Sequence, residues 1–271
     1  MREAGPQRRA CVVLSPHLDD AVLSVWHVLG SDDDVRVVTV FAGVPEPGFV
    51  TALDRARGAT ESAAAVRRRR DDDDAVLALA GVEPVHAGLL DADYRAFRLP
   101  DLRAAIERDP ARFISLVAGD ARIGVAVEEL REALEPCLRA DVVHAPLGIG
   151  GHPDHRDVAR LGLRLAAEGR DVCLYADLPY LVRFGRPTWL GGADGPARRL
   201  LAEAFAALPA DPDAFARRVV ELDPTQAVAK VAAFRRYETE FGPVNADFGG
   251  ALDDPETLRR EVAWTRRDTH A

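Results

Sequence analysis

The sequence predicts an α/β fold in three layers, with a largely parallel, twisted sheet and helices on both faces. Three observations lead to this prediction. Valine-rich apolar runs recur along the chain, and segments with helical character separate these runs. Gly- and Pro-rich turns join the apolar runs to the helical segments. A chain of 271 residues with 48% hydrophobic content also has enough apolar surface for a substantial core.

The first strands and their connections come from residues 10–48. The apolar run 12–14 predicts a buried parallel strand, and a helix opens at Asp20. The β-branched run 35–41 predicts a second strand, and the Gly/Pro-rich segment 42–48 predicts a loop at the same edge of the sheet.

A long helix predicted over 59–80 carries a run of charge. Gly81 is expected to end it, because glycine adopts the backbone conformation that commonly follows a helix. Four arginines precede four aspartates at 67–74, so that helical geometry places each Arg one turn from an Asp. For most of these side chains the prediction is a solvated, ion-paired face.

The rest of the chain continues the alternation. A short strand at 83–87 leads into a loop that reaches Pro100, and 101–139 is expected to be helical with a break near Gly119. The later elements are a strand at 142–146, a loop at 148–151, a helix from 154 or 155 to about 169, a strand at 172–176, a loop at 191–195, a helix from 196, an edge strand at 218–222 and a helix over 224–241.

Two short motifs rich in histidine and aspartate lie where a strand gives way to a helix. The first, PHLDD, spans 16–20, and the second, HPDH, spans 152–155. Catalytic zinc takes three His or carboxylate ligands and keeps a fourth position for water, whose pKa it lowers. Turns of this kind are where open α/β sheets keep their ligand crevices. Together the motifs therefore predict a zinc hydrolase site.

Each motif has a simpler interpretation when it stands alone. HPDH can be a turn in which Asp154 caps a helix, and PHLDD can place acidic residues in a first helical turn, where the helix dipole favours them. The presence of both motifs, in order, favours the metal site. The remaining histidines singled out are expected to be structural or solvated; they are His27, His86, His144 and His270.

The paired motifs resemble the signatures P-H-x-D-D and H-P-D-H of the LmbE-like (PIG-L) family of metal-dependent de-N-acetylases. The resemblance covers residues 10–180 and implies a Rossmann-like sheet. By motif position it implies that His17, Asp20 and His155 bind zinc. It also implies that Asp19 is the general base and that His152 takes part in catalysis.

The resemblance extends to residues around the motifs. It implies that Asp154 supports a neighbouring imidazole, as the outer partners of metal ligands commonly do. Arg69 with Asp72 resembles the family's R-x-x-E helix, with Asp in place of Glu. Asp91, in the segment GLLD, resembles a loop residue that relatives bring toward the sugar. Arg69 and Asp91 are therefore implied as substrate-binding residues.

The implied reaction is removal of an N-acetyl or other N-acyl group from an amino sugar such as N-acetylglucosamine, its conjugate or a secondary-metabolite intermediate. Asp19 would take a proton from activated water, zinc and His152 would hold the oxyanion, and either residue would protonate the leaving amine. Fe²⁺ or Co²⁺ can replace Zn²⁺ in such a ligand set. Two alternatives stay open. The first is another hydrolase on the same scaffold, either an amidase that acts on a thiol or other conjugate or an enzyme that cleaves phosphoesters. The second is a non-catalytic homologue that binds a metal or a sugar.

Composition and charge limit the kinds of partner and the cellular compartment that we expect. The net charge of −9 and the lack of a basic stripe argue against nucleic acid, and no apolar run is long enough for a membrane span. Cys11, Cys137 and Cys173 lie in apolar stretches and are expected as free thiols in a reducing compartment. Because the first residues lack a signal-peptide core, we expect a cytoplasmic enzyme for a small N-acylated substrate.

The domain organisation follows from the order of elements. We expect one domain over 1–271, with 177–271 as an extension of it. No heptad pattern and no isolated apolar face stand out, so the sequence leaves the oligomeric state open.

Overall fold

The computed structural model describes residues 8–193, 195–207 and 214–267, and seven strands in these ranges form one sheet. The strands are β1 (Ala10–Ser15), β2 (Asp34–Thr39), β3 (Glu83–His86), β4 (Val142–Pro146), β5 (Asp171–Tyr175), β6 (Phe215–Glu221) and β7 (Arg260–Arg266). Their order is β3-β2-β1-β4-β5-β7-β6. β1 to β5 are parallel, whereas β7 runs antiparallel to both β5 and β6. The predicted α/β fold is confirmed, with a sheet that is mixed at one end.

Helices surround this sheet. They are α1 (Asp20–Ser24), α2 (Trp26–Leu29), α3 (Ala52–Ala56), α4 (Ser62–Leu79), α5 (Ala92–Phe97), α6 (Pro100–Arg108), α7 (Phe113–Val117), α8 (Val127–Leu134), α9 (Pro153–Ala167), α10 (Leu178–Arg183), α11 (Gly195–Ala206), α12 (Pro224–Phe234), α13 (Phe241–Asp247) and α14 (Pro255–Leu258). Short 3₁₀ helices lie at Pro110–Arg112, Thr188–Leu190 and Ala251–Asp253.

Alternate residues of the central strands contribute to two separate cores. Val12 and Leu14 of β1 pack with residues of α8, α9 and α11 on one face of the sheet. Val13, between them, packs with α1, α2, α4 and α12 on the other face. Because strand side chains alternate between faces, one apolar run feeds both cores, and the three predicted layers result.

The connectivity of the sheet places a crevice between two strands. From β1 the chain continues to β2 and β3 on one side, and it later returns to β4 and β5 on the other side. The carboxyl ends of β1 and β4 therefore flank a topological switch point, which is where open α/β sheets bind ligands. PHLDD leaves β1 at this point, and HPDH follows β4.

The helix predicted to open at Asp20 is divided in two. α1 ends at Ser24, and α2 begins at Trp26 after a break at Val25. The backbone N–H groups of Trp26 and His27 donate to the Glu261 carboxylate, at 2.8 and 2.9 Å. A carboxylate from the far end of the chain thus caps the second helix, which local sequence patterns do not reveal.

Two short helices were not predicted: α3, between the predicted loop at 42–48 and the long helix, and α5, within the loop that reaches Pro100. Thr51 caps α3 by accepting a hydrogen bond from the backbone N–H of Asp54, and Asp91 caps α5 through the N–H of Asp93. Both caps are residue types that favour a helix start. The helix predicted over 224–241 ends instead at Phe234, and α13 follows after a turn.

The charged helix α4 differs from the predicted ion-paired face. No ion pair within the described ranges joins its arginine block to its aspartate block. Instead Arg69 and Asp73 are only 7% and 1% exposed. Arg69 reaches toward Glu240, and Asp73 accepts a hydrogen bond from the Tyr237 hydroxyl at 2.7 Å. These two residues face the protein interior, and each contacts a residue distant in sequence in place of an oppositely charged neighbour on the helix.

The other histidines lie in structural settings. His27 Nδ1 is 2.5 Å from Glu261, and His86 Nε2 is 2.9 Å from Asp73. His270, and residue 194 of the loop predicted at 191–195, lie outside the described residues. The edge strand predicted at 218–222 is the end of β6, whereas β7 was not expected from the sequence.

His144 of β4 is expected to make stability depend on pH. It is buried, and within the described ranges its Nδ1 has no hydrogen-bond partner. Burial, with a smaller effect of His27, lowers its pKa from 6.5 to about 4. Such a histidine stays neutral in the fold, so stability is complete above the unfolded-state pKa and is lost as pH falls from 6.5 toward 4.

We expect this loss to reach about 3 kcal/mol in the free energy of unfolding. Urea unfolding at pH 7.5 and at pH 4 measures it, with His144→Leu as the comparison. The variant should lose less stability than the wild type between the two pH values. An equal loss in both proteins would contradict the role of His144.

Candidate active site

Three donor atoms from the two motifs form a small triangle. His17 Nδ1 lies 3.2 Å from His155 Nε2 and 3.4 Å from Asp20 Oδ2, and the third edge, from His155 Nε2 to Asp20 Oδ2, is 3.2 Å. Ligands held about 2.0–2.1 Å from a tetrahedral zinc ion are about 3.3–3.4 Å apart. The triangle already has that size, so these three side chains can hold a divalent cation.

Each of the two histidines uses its other ring nitrogen to contact a buried carboxylate. His17 Nε2 is 3.0 Å from Asp154 Oδ2, and His155 Nδ1 is 2.5 Å from Asp177 Oδ1. Metal-binding histidines commonly show this arrangement, because the carboxylate fixes the ring and leaves the opposite lone pair for the metal. The donor chemistry therefore fits a metal site as well as the distances do.

Negative charge surrounds both rings. Although burial opposes it, carboxylates led by Asp91 raise the pKa of His17 well above its ordinary value. Asp20 and Asp177 raise the pKa of His155 to about 10, again against the effect of burial. Surroundings that favour a proton on each ring also favour a cation in its place, and metal binding then displaces the protons.

Other sets of side chains at this point also lie close enough to share a cation. They are His17 with His152 and His155, and His17 with Asp91, His152 and Asp154. The Nδ1 of His152 already accepts the backbone N–H of Asp154, at 3.3 Å. We favour the triangle that includes Asp20, because its edges of 3.2–3.4 Å match the separation of ligands around a tetrahedral zinc ion.

Asp177 connects one histidine of the triangle to the glycine-rich loop. Its Oδ2 accepts the backbone N–H groups of Gly148 and Ile149, both at 2.8 Å, while its Oδ1 faces His155. Asp177 is 1% exposed. One buried carboxylate therefore holds His155 and also the loop that leads to His152.

Replacing Asp177 with Asn is expected to weaken metal binding by about 10–100-fold, because an amide supports the imidazole less well than a carboxylate does. Competition with a chromophoric chelator measures the affinity. Asp171→Asn, at an exposed position of β5, is the matched control. An Asp177→Asn affinity within twofold of the control would contradict this prediction.

Asp154 holds the opposite side of the triangle. Its Oδ2 accepts the backbone N–H of Ala92 at 3.0 Å in addition to facing His17, and its Oδ1 is 2.5 Å from an Arg95 guanidinium nitrogen. The residue is fully buried. Asp154 thus contacts an imidazole of the triangle, and the supporting role that the family resemblance implies stays a prediction.

Asp19 faces the cavity beside the triangle. Its side chain has no hydrogen bond to any other residue that the structure describes, although Asp19 is only 8% exposed. Burial, together with the charges of Asp20 and Glu240, raises its pKa to about 7. A carboxylate with a raised pKa and no protein partner is suited to accept a proton from a substrate or from water.

His152 is the N-cap of α9 and is neutral. Burial, and then the charge of His17, lowers its pKa to about 3. Its Nδ1 accepts the backbone N–H of Asp154, which places the ring proton on Nε2. His152 can therefore donate a hydrogen bond through Nε2.

The structure places Arg69 and Asp91 on the wall of the same cavity, which has a volume of about 270 Å³. Asp91 Oδ2 is 3.5 Å from His17 Nε2, and Arg69 Nε lies 2.8 Å from Glu240 Oε1 without the alignment of a hydrogen bond. Asp72 instead accepts a hydrogen bond from the Thr239 hydroxyl. The wall is therefore rich in polar groups near the triangle.

Apolar side chains also line the cavity. They are Leu53, Pro110, Ile114, Val244 and Phe248. A ligand that fills this site therefore meets both charged and apolar groups.

Sequence reasoning did not identify four further residues of the cavity or its support, namely Arg57, Asp177, Tyr180 and Glu240. Asp177 directly follows β5, so the rule that strand ends meet at one edge would have pointed to it. Glu240 follows α12 and lies between Arg57 and Arg69, at 3.7 and 2.8 Å. No local pattern links Glu240 to those arginines.

The profile of the PIG-L family, described as GlcNAc-PI de-N-acetylase, matches residues 12–166. The chain belongs to the PIG-L family. The match includes both motifs, so the family predicted from PHLDD and HPDH is confirmed. A comparison with curated proteins gives no match.

Solved structures of deacetylases resemble this PIG-L protein over nearly its whole length. The A40926 pseudoaglycone deacetylase is 26% identical with a TM-score of 0.62, and the match covers 98% of this chain and 100% of the relative. A deacetylase of the teicoplanin pathway, in complex with bog, is 25% identical with a TM-score of 0.64, at 96% and 99% coverage. The zinc-inhibited form of teicoplanin deacetylase is 24% identical with a TM-score of 0.63, also at 96% and 99% coverage.

Family and fold together make this PIG-L protein a hydrolase of the N-deacetylase type, as the motifs predict. The histidine and carboxylate groups at the switch point indicate a divalent metal. Among the described residues, none of the helices combines the length and apolar character needed to cross a bilayer.

Proposed function

We propose that this protein is a metal-dependent N-deacetylase for an amino sugar carried by a secondary metabolite. The observation that supports it most is the triangle of His17 Nδ1, Asp20 Oδ2 and His155 Nε2, with edges of 3.2–3.4 Å, beside the cavity-facing Asp19. Zinc is our first choice, and Fe²⁺ or Co²⁺ suit the same donors. When bound, such a metal polarises the acyl oxygen and lowers the pKa of a water molecule.

Asp19 is the general base of the proposed reaction. Its carboxylate takes a proton from the attacking water as the oxygen of that water bonds to the acyl carbon. The electron pair of the C=O double bond moves to the acyl oxygen, which becomes negative. Asp19 is suited to this step because it lines the cavity and no described residue donates a hydrogen bond to its carboxylate.

His152 stabilises the negative acyl oxygen by donating a hydrogen bond from Nε2. Its low pKa makes it a donor that keeps its neutral form, since protonation of this buried ring is unfavourable. We therefore assign protonation of the leaving nitrogen to Asp19. As the C–N bond breaks, the C=O double bond forms again and Asp19 returns the proton it took to the leaving nitrogen. Acetic acid and a free amine leave, and the acid then loses its proton to water.

The mixed lining of the cavity supports the choice of substrate. Arg57, Arg69 and Asp91 offer hydrogen bonds suited to sugar hydroxyls, whereas Ile114 and Phe248 suit an apolar attachment. With a volume of about 270 Å³, the cavity is at the small end of ligand pockets and takes the reacting end of a conjugate. Of the relatives named above, one is a deacetylase of the pseudoaglycone of the antimicrobial A40926, and another belongs to the teicoplanin biosynthesis pathway, which fits a secondary metabolite as the carrier.

Metal analysis combined with an acetate-release assay tests the proposed function. The protein is stripped with a chelator and loaded with one equivalent of Zn²⁺, Fe²⁺ or Co²⁺, because a zinc-inhibited form of a relative warns against excess zinc. Substrates are N-acetylglucosamine, its aryl glycosides and glycopeptide pseudoaglycones, with acetylated thiol conjugates and phosphoesters as alternatives. We expect acetate release, fastest from N-acetylglucosaminyl conjugates. A metal-loaded protein that releases acetate from none of the sugars would overturn the proposal.

We also propose a cytoplasmic location and one domain over 1–271. The free thiols of Cys11, Cys137 and Cys173 support a reducing compartment. The pairing of β5 with β7 supports one domain, because the later part of the chain completes the same sheet.

A further inference from the structure

Tyr180 enters the cavity from α10 and lies directly against the backbone of Gly150. A Cβ atom added at Gly150 would be 2.3 Å from Cδ1 of the Tyr180 ring, which is far shorter than the contact distance of two non-bonded carbon atoms. Gly150 also has a φ of +89°, which side chains disfavour. Gly150, two residues before HPDH, therefore leaves this space without a side chain of its own, and the Tyr180 ring fills it.

Other rings hold Tyr180 in one orientation. The His155 ring lies perpendicular to it, with 5.7 Å between centroids and an angle of 87°. The Phe184 ring is parallel to it at 6.5 Å, and the Phe248 ring meets it at 71° and 6.1 Å. With Gly150 at its edge, the ring is restrained on several sides, which is the rigidity expected of a group in a preorganised site.

The Tyr180 hydroxyl has no hydrogen-bond partner in the part of the chain that the structure describes. Tyr180 lines the cavity together with His152, His155 and Asp19, and it is partly exposed there. A tyrosine hydroxyl, with an ordinary pKa of about 10, keeps its proton at neutral pH. Tyr180 thus brings a hydrogen-bond donor without a described partner into the cavity that Asp19 and His152 also line.

We propose that Tyr180 is a further catalytic residue, whose hydroxyl donates a hydrogen bond to the acyl oxygen as that oxygen becomes negative. The inference rests on the proposed deacetylation. Tyr180 transfers no proton, so the proton cycle of Asp19 is unchanged. The negative oxygen then accepts hydrogen bonds from two neutral donors, His152 Nε2 and Tyr180 Oη. Both hydrogen bonds become stronger as negative charge develops on the oxygen.

Tyr180→Phe removes the hydroxyl and keeps the ring that packs on Gly150. We expect kcat for acetate release to fall about 100-fold, with KM within threefold of the wild type, because the bond strengthens only when the oxygen becomes charged. Zinc content and thermal midpoint should stay at wild-type values. A kcat within threefold of the wild type, or a loss confined to KM, would overturn the proposal.

Binding of a stable tetrahedral analogue gives a second readout without turnover. A methylphosphonamidate of glucosamine presents a charged oxygen where the acyl oxygen becomes charged. Its affinity for the zinc-loaded protein, from titration calorimetry, should fall by at least tenfold in Tyr180→Phe. Equal affinity in the variant and the wild type would show that Tyr180 only packs in the cavity and donates no hydrogen bond to the charged oxygen.

The two neighbouring glycines provide a matched pair of variants. Gly151 has a φ of +80°, similar to that of Gly150, but an added Cβ there meets nothing within 4 Å. Gly150→Ala and Gly151→Ala therefore carry similar backbone strain, and only the first displaces Tyr180. We expect Gly150→Ala to lose at least fivefold more kcat than Gly151→Ala, and equal losses would count against the role of Tyr180.

Failure of the two proposals is distinguishable. If the wild type releases acetate and Tyr180→Phe matches it, the Tyr180 assignment is wrong and the deacetylase stands. If the metal-loaded wild type releases acetate from no sugar, the proposed function falls and the role of Tyr180 falls with it.

Discussion

Replacing Asp19 with Asn is expected to lower kcat by about 1000-fold while the protein keeps its metal. Asparagine has nearly the shape of aspartate but cannot accept the proton of the attacking water. His17, Asp20 and His155 are unchanged, so metal content should remain at one ion per chain. Acetate release at saturating substrate and metal analysis of the same sample measure the two quantities.

The dependence of the rate on pH provides a second check of Asp19. Its pKa, raised to about 7 by burial and by Asp20 and Glu240, is lowered again by a bound dication. Wild-type kcat should therefore fall as pH drops through this lowered pKa, which lies below 7, because protonated Asp19 cannot act as a base.

The residual activity of Asp19→Asn should lack this decline at low pH. Asp247→Asn, at an exposed position on the rim of the cavity, controls for the loss of one negative charge. An Asp19→Asn protein that retains a tenth of the wild-type kcat would rule out Asp19 as the base.

Replacing Glu261 with Gln is expected to lower the free energy of unfolding by about 3–5 kcal/mol, because it leaves the Lys230 ammonium buried without a countercharge. Lys230 and Glu261 are both 0% exposed, with Nζ and Oε1 2.5 Å apart. The other acceptor for Lys230 is the backbone carbonyl of Leu258, at 3.1 Å. Burial already lowers the pKa of Lys230, so losing the carboxylate favours loss of its proton.

Urea unfolding at pH 7.5 measures this effect. Glu256→Gln removes the same charge from an exposed position of α14 and should change stability by less than about 0.5 kcal/mol. If Glu261→Gln were within 1 kcal/mol of Glu256→Gln, the buried pair would not contribute as proposed.

Much of the fold and the centre of the site could be predicted from the sequence because their signals are local. Each motif adjoins its own strand, and parallel strands bring their carboxyl ends to one edge. The positions of PHLDD and HPDH were therefore sufficient to bring His17 and His155 together. The strands before them are buried on both faces and are mainly apolar, with His144 as the exception in β4.

The parts that could not be predicted depend on partners far apart in sequence. Glu261 lies on β7 in a segment with several charged residues, and nothing local shows that it caps α2 and binds Lys230. Asp73 belongs to a block whose pattern predicts a solvated face, yet it turns inward to Tyr237. Nothing local shows that Arg69, implied as a substrate-binding residue, lies beside Glu240. A charged residue is usually exposed, so burial of a charge becomes evident only from its partner.

The place of β7 in the sheet has a consequence for how the protein is made. β7 comes late in the chain, yet it lies between β5 and β6, so β6 has no strand to pair with until β7 is present. On the ribosome, β5 would remain an open edge until residues 260–266 emerge, and contacts this distant in sequence form slowly. A nascent chain stalled before that point would expose an apolar edge, which makes it a natural client for chaperones.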